Sequence, residues 1–194
     1  MGDNETIKHL QKQIGFCDDM KAYSQLYELL FEKLFCFSLS FVKSNEVAEE
    51  IVSDVFIKLW TIRGRLHDIE NLTDYLFKIT KNFSLNYITH HHKYPKVSLD
   101  DISFDLTSAV SPEDIYISSE IVARINEIIN RLPSKCKMIF QLVRGDGLRY
   151  KEVASILNIS ELTVRNQLAI AAKKISEAVP PSLVGSLQAR RTEM

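Results

Sequence analysis

The stretch Tyr150-Lys151-Glu152-Val153-Ala154-Ser155-Ile156-Leu157-Asn158-Ile159-Ser160-Glu161-Leu162-Thr163-Val164-Arg165-Asn166-Gln167-Leu168 decides how this chain folds. It reads as two short helices meeting at a tight turn. Such a crossing needs a small residue where the helices touch, and Ala154 supplies it. The turn needs a residue that tolerates the left-handed region, which Asn158 does at low steric cost. Ser160 is placed to cap the second helix, with Thr163 as a further first-turn hydroxyl. Ile159, Val164 and Leu168 are expected to fill the wedge between the helices.

At 100° per residue the second helix sorts into two faces. Val164, Leu168, Ala171 and Ile175 fall on one side, while Leu162, Thr163, Asn166, Ala169, Ile170 and Lys173 fall on the other, with Arg165 near its edge. An outer face of this composition suits the major groove of DNA. Arg165 and Asn166 carry the donors that read guanine and adenine, and Leu162 or Ala169 can meet thymine methyls. Lys173, Lys174 and Arg149 are better placed for phosphate.

Working outward, the same half of the chain carries four helical segments: about Pro112 to Leu132, Ser134 to Val143, Tyr150 to Leu157 and Glu161 to Ala178. Leu132-Pro133, Gly145-Asp146-Gly147 and Asn158-Ile159-Ser160 separate them. Upstream, Leu26, Leu29, Leu30, Leu34, Phe37 and Phe41 mark a helix from about Ala22 to Val42. After a break at Lys43-Ser44-Asn45, with Ser44 or Asn45 as cap, Glu46 to about Thr61 is the clearest amphipath. Val47, Ile51, Val52, Val55, Phe56 and Leu59 make its apolar face; Glu46, Glu49, Glu50, Ser53 and Asp54 make an acidic stripe opposite. Gly64 is expected to end it. A polar stretch to Asn71 leads to a third helix, Leu72 to about Thr89, with Leu72, Leu76, Ile79 and Phe83 facing inward. Residues 1–20 are polar and give no clear reading.

The 194 residues are 45% hydrophobic and 25% charged, the balance of an ordinary globular chain, and few glycines or prolines interrupt the helical patterns. The net charge of −1 conceals an asymmetry. From Val97 to Asn130 seven acids accompany Arg124 alone, whereas from Arg131 to Ile175 nine bases outnumber three acids. A polyanion can therefore engage the last stretch although the whole chain is near neutral. The three cysteines, Cys17, Cys36 and Cys136, form no CxxC pair, which fits a reducing cytoplasm. Leu34 to Val42, the most apolar window, is too short to span a bilayer.

The motifs together resemble the extracytoplasmic-function sigma factors of the sigma-70 family. Leu132-Pro133 followed by Gly147-Leu148-Arg149-Tyr150-Lys151-Glu152 and the two-helix motif is similar to their domain for the −35 promoter element. Ala48-Glu49-Glu50-Ile51-Val52-Ser53-Asp54-Val55-Phe56-Ile57-Lys58-Leu59-Trp60 resembles their polymerase-binding helix. Tyr75-Leu76-Phe77-Lys78-Ile79-Thr80-Lys81-Asn82, continuing to Asn86-Tyr87, resembles their −10 recognition and melting helix. The match covers roughly residues 22–95 and 112–178.

The resemblance implies an all-α chain of two small helical domains joined by a flexible linker, the second a four-helix helix-turn-helix domain. Its divisions are an extension (1–20), region 2 (21–95), an acidic linker (96–111), region 4 (112–179) and a tail (180–194). It assigns −35 contacts to Leu162, Thr163, Arg165, Asn166, Ala169, Ile170 and Lys173. Tyr75, Lys78, Lys81, Asn82 and Asn86 are assigned to the −10 element and its melting, and Glu46, Glu49, Glu50, Ser53 and Asp54 to core polymerase. The polar stretch Arg63 to Asn71 corresponds to the loop that captures a flipped base. Trp60, Phe77 and Phe83 are expected mainly in the core. Where relatives carry a base near Ile170, this chain has Ala169-Ile170, which favours apolar contact there. The implied partners are core RNA polymerase, promoter DNA and an anti-sigma factor, commonly membrane-anchored. The free chain is expected to be a cytoplasmic monomer.

Neither a metal nor a cofactor is expected. His90-His91-His92 are consecutive and point in divergent directions around a helix end. A Gly-rich phosphate loop, an HExxH pattern and a nucleophile-base pair are all missing from the sequence, so catalysis is not expected. Two other classes stay open from the residues alone. One is a conventional helix-turn-helix regulator whose first half senses or dimerises, and the other is a helical adaptor or anti-factor without DNA contacts.

Overall fold

The computed structural model describes residues 2–91 and 126–178, and every regular element among them is helical. Two compact units divide the chain. The first contains α1 (Gly2–Cys17), α2 (Met20–Val42), α3 (Asn45–Thr61), a 3₁₀ turn (Arg63–Asp68) and α4 (Leu72–His91). The second contains helical residues 126–130, α5 (Ser134–Phe140), a π turn (Gln141–Gly145), most of α6 (Tyr150–Leu157) and α7 (Glu161–Ala178). The acidic linker and the carboxy-terminal tail lie outside the described residues, as does most of the helix expected from Pro112.

In the first unit the boundaries follow local chemistry. Asp19 caps α2 by accepting the Lys21 and Ala22 amides, at 2.8 and 3.2 Å. Lys43 closes α2 in the left-handed region at φ 60°, its amide returning to the Leu39 carbonyl. Ser44 then caps α3 through the Val47 amide at 3.3 Å. The break expected at 43–45 is thus two caps back to back. α3 ends at Thr61, where the amphipathic pattern places its end, and the chain turns directly into the 3₁₀ segment that contains Gly64.

Leu26, Leu30, Leu34, Phe37 and Phe41 of α2 pack with Ile51, Val52, Val55, Phe56 and Leu59 of α3, and all ten are buried. Aromatic edges fix their registration. Tyr27 meets Phe56 at 4.6 Å between centroids, and Phe37 meets both Phe41 and Phe77 at 5.1 Å. The inward face of α4 differs from the expectation. Leu72, Leu76, Phe77, Thr80, Ser84 and Ile88 are buried, whereas Ile79 and Phe83 are only half-buried. Small hydroxyls explain the change: Thr80 and Ser84 bond back to the Leu76 and Thr80 carbonyls, and Ser84 meets Ser38 of α2 at 3.0 Å. Two satisfied hydroxyls let α2 and α4 approach closely, and they hide from a purely apolar reading of the pattern.

α1 was not legible as an element, yet it is a full helix. Ile7, Leu10 and Ile14 are buried along its inner side. Their i, i+3, i+7 spacing is the signal that sequence reasoning passed over.

The second unit packs Ile129, Leu132 and Cys136 against Ala171, with Phe140 and Ile175 at the margin. Burial pushes the Cys136 thiol above the usual cysteine range; its Sγ lies 3.2 Å from the Gln167 carbonyl. In the two-helix motif, Ala154, Val164, Leu168 and Ala171 are buried as the pattern requires, and Ile159 is half-buried. Asn158 sits in the left-handed region at φ 57°. Replacing it with valine, whose branched Cβ is strained there, should cost about 1–3 kcal/mol, while glycine should be nearly neutral. Paired thermal melts of Asn158→Val and Asn158→Gly check this; equal melting temperatures would contradict it.

Candidate functional site

The outer face of α7 is built from its amino-terminal end. Ser160 accepts the Thr163 amide at 3.1 Å, and the two hydroxyls meet at 2.8 Å. That cap fixes where the helix starts, and therefore which side chains leave its first two turns. Leu162 is 66% exposed and Ile170 42% exposed, large apolar side chains left in solvent. Arg165, Asn166, Ala169 and Lys173 are exposed beside them, and Thr163 is half-buried beside its cap. All seven residues expected on this face are on the solvent side of the helix. Lys173 has a local counterion in Glu177, at 3.8 Å.

The Gly-Leu-x-Tyr-x-Glu lead-in acquires a physical reason. Glu152, in the first turn of α6, accepts the Arg149 amide at 2.7 Å, which is one half of a capping box. The same carboxylate holds the Arg149 guanidinium at 2.7 and 3.0 Å. Arg149 therefore serves the start of α6.

In the first unit the acidic stripe of α3 is as expected. Glu46, Glu49, Glu50 and Asp54 are exposed, and Ser53 is half-buried with its hydroxyl donating to the Glu49 carbonyl at 2.9 Å. Ser44 donates to the Glu46 carboxylate at 2.6 Å, and this bond holds the carboxyl below its usual range. The stripe is continuous with an open notch toward α4, lined by Glu50, Ile51, Asp54, Phe83, Asn86 and Tyr87. Ile57, 61% exposed, stands on the same helix.

On α4, Asn82 and Asn86 are exposed while Tyr75, Lys78 and Lys81 are half-buried. Lys78 is bound by Asp74, Nζ to Oδ2 at 2.8 Å, one helical turn away. Asp74 keeps its other oxygen buried without a hydrogen-bond partner. Burial, then the neighbouring Lys78 charge, pushes the Lys81 ammonium below the usual lysine range. Asn71 caps α4 by accepting the Asp74 amide at 3.1 Å, so the 3₁₀ turn runs straight into this helix. Phe77 is wholly buried, as expected; Trp60 is half-buried, with the Arg63 guanidinium 4.6 Å above its ring.

Sequence reasoning missed Gln11, Phe16, Asp18 and Asp74. Their partners are far away in the sequence or, for Asp74, hidden within one helix. Among the described residues, no group of His, Cys, Asp and Glu is placed to hold a metal ion. Among them, too, no helix is long and apolar enough to cross a membrane.

One helical unit exposes the outer face of α7, and the other an acid-striped and an amide-bearing helix, the arrangement expected from the sequence of a DNA-handling protein. Comparison narrows this class. Residues 123–175 match the family model for sigma-70, region 4. The RNA polymerase sigma-H factor of Pseudomonas aeruginosa is 23% identical over 189 residues, spanning 93% of this chain and 95% of that protein. The ECF RNA polymerase sigma-E factor of Escherichia coli K12 is 25% identical over 187 residues, spanning 92% and 95%. Among solved structures, the sigma factor RpoE in complex with the anti-sigma factor NepR from Bartonella quintana aligns with a TM-score of 0.53 at 20% identity. That alignment covers 82% of this chain and 97% of that one. CnrH in complex with the cytosolic domain of CnrY gives 0.50 at 17% identity, covering 90% and 95%. These two likenesses concern the fold. Residues 123–175 thus carry the sigma-70 region 4 pattern, and the chain is similar to sigma factors, the ECF group among them, along more than nine-tenths of its length.

Proposed function

We propose that this chain is an alternative sigma factor, which binds core RNA polymerase and directs promoter-specific initiation of transcription. One observation carries the reading: the recognition-helix unit and the acid-striped unit occur in one chain, and sigma factors match it along more than nine-tenths of its length. A conventional regulator with an unrelated first half would not align that way. The protein acts as a specificity subunit and leaves the chemistry of RNA synthesis to polymerase.

The parts have separate tasks. Glu46, Glu49, Glu50, Ser53 and Asp54 offer an acidic surface to a basic groove of core polymerase. The turn at 63–71 captures a base flipped from the −10 element. Asn82 and Asn86 hydrogen-bond exposed bases, Tyr75 offers a ring for stacking, and Lys78 and Lys81 hold the strand's phosphates. Arg165 and Asn166 read −35 base edges, with Leu162, Thr163, Ala169 and Ile170 against the groove wall and Lys173 near phosphate. The chain works in the cytoplasm and is monomeric when free. An anti-sigma partner, membrane-anchored in the simplest arrangement, withholds it from polymerase. The solved relative held by NepR supports that assignment.

Reversing the stripe tests the polymerase assignment. The triple substitution Glu49→Lys, Glu50→Lys and Asp54→Lys changes exposed residues only, so the fold should survive. It should weaken capture of core polymerase by about 100-fold, since like-charge contacts at an interface cost several kcal/mol. Unchanged capture, measured by competition for labelled core enzyme, would remove α3 from the interface.

A further inference from the structure

We infer that α1 is the positioning device for the base-capturing turn, and that Gln11 is the residue through which it acts. The inference rests on the function proposed above, because it concerns the turn at 63–71.

Gln11 is 7% exposed, and its amide nitrogen donates to two carbonyls of that turn, Leu66 and Ile69, each at 2.7 Å. An amide NH₂ has two protons, and both are used. The Leu66 carbonyl also accepts the Ile69 amide at 3.1 Å, so Gln11 grips the closing bond of the 3₁₀ segment. The rest of the same corner holds the turn at other points. Leu66 is fully buried. At Gly15 the helix comes so near that an added Cβ would lie 3.4 Å from the Arg63 carbonyl and 3.5 Å from the Leu66 Cβ. The Phe16 ring stacks on His67 at 5.8 Å, and Asp18 accepts the Arg63 Nε at 2.5 Å.

The start, middle and end of the turn are therefore held from α1 and the corner after it. A 3₁₀ turn has poor hydrogen-bond geometry and few bonds of its own, so left alone it would sample several shapes. A loop that accepts a flipped base discriminates between bases only if its donors and acceptors stand where the base arrives. Gln11 supplies that rigidity without touching DNA, which makes it a positioning residue. It ties the amino-terminal helix to −10 preference. Phe16, 69% exposed and resting on His67, tunes the outer edge of the same turn.

The test uses the full chain with core polymerase on promoters that carry each of the four bases at the captured position. Gln11→Met keeps the length and bulk of the side chain and removes both donors. Its preference for the best base should fall about tenfold, while core capture and −35 dependence stay at wild-type values. Amides of residues 65–69 should exchange hydrogen about tenfold faster, which is read without polymerase. Phe16→Ala, on an exposed side chain that threatens no core, should move preference in the same direction by less. Wild-type base preference in both variants would overturn the inference. An equal loss on all four bases would overturn it too, since that marks a purely structural glutamine. A wild-type enzyme indifferent to that base would overturn the assignment of the turn itself, and the role of Gln11 with it.

Discussion

Replacing Arg165 and Asn166 together by alanine should lower transcription from promoters that depend on a −35 element by about 100-fold. Each side chain can make a paired contact to one base edge, worth about 1–3 kcal/mol of discrimination, and each 1.4 kcal/mol is a factor of ten. The two positions are adjacent, so their effects need not add, and 100-fold, about 2.7 kcal/mol, lies toward the low end of the summed range of about 2–6 kcal/mol. Both side chains are exposed on α7, and alanine favours the helix, so stability should be unchanged or slightly raised. The loss should also be selective. Base preference at one or two −35 positions should relax, with little change in salt dependence. Lys174→Ala should instead weaken binding on every sequence and reduce the salt slope by about 0.9. A DNA-binding titration across a −35 library at three salt concentrations separates the two. Equal behaviour of the Arg165/Asn166 variant and the Lys174 variant would show that this face does not read bases.

The sequence resolved most of the helices because caps and breaks announce themselves. Ser44, Ser160 and Asn158 do at the backbone what their chemistry suggests, and α6 and α7 begin and end where the pattern places them. The exposed faces were legible for the same reason, since a helical period sorts polar from apolar residues. What escaped depends on pairing across distance. α1 looked polar because its buried side includes Gln11, whose amide is spent on the carbonyls of a turn 55 and 58 residues away. The inner face of α4 was drawn too apolar because Thr80 and Ser84 bury their hydroxyls against backbone and a partner serine. The −10 assignment of Lys78 took no account of Asp74, which already occupies it. A phosphate arriving at Lys78 must first compete with that carboxylate, so an ion pair within one helix would temper the strand binding proposed for it.

The two units have unequal consequences if lost. Without the recognition helix, polymerase still has a subunit bearing the acidic stripe and the α4 amides, and weak initiation at strong −10 elements should remain. Without the first unit, no residue assigned to polymerase binding or strand opening remains. DNA affinity from α7 alone cannot start RNA synthesis, because binding a duplex does not supply the free energy of unpairing it. Opening needs partners for the extruded base and exposed strand, the role proposed for the first unit.

The most direct measurement is therefore transcription from a promoter library by core polymerase with either the full chain or a form beginning at residue 112. Start sites should depend on the full chain, cluster downstream of a shared −35 and −10 pair, and vanish with the truncated form. Start sites that persist at the same positions without residues 1–111, or that never appear with the full chain and active core enzyme, would contradict the account.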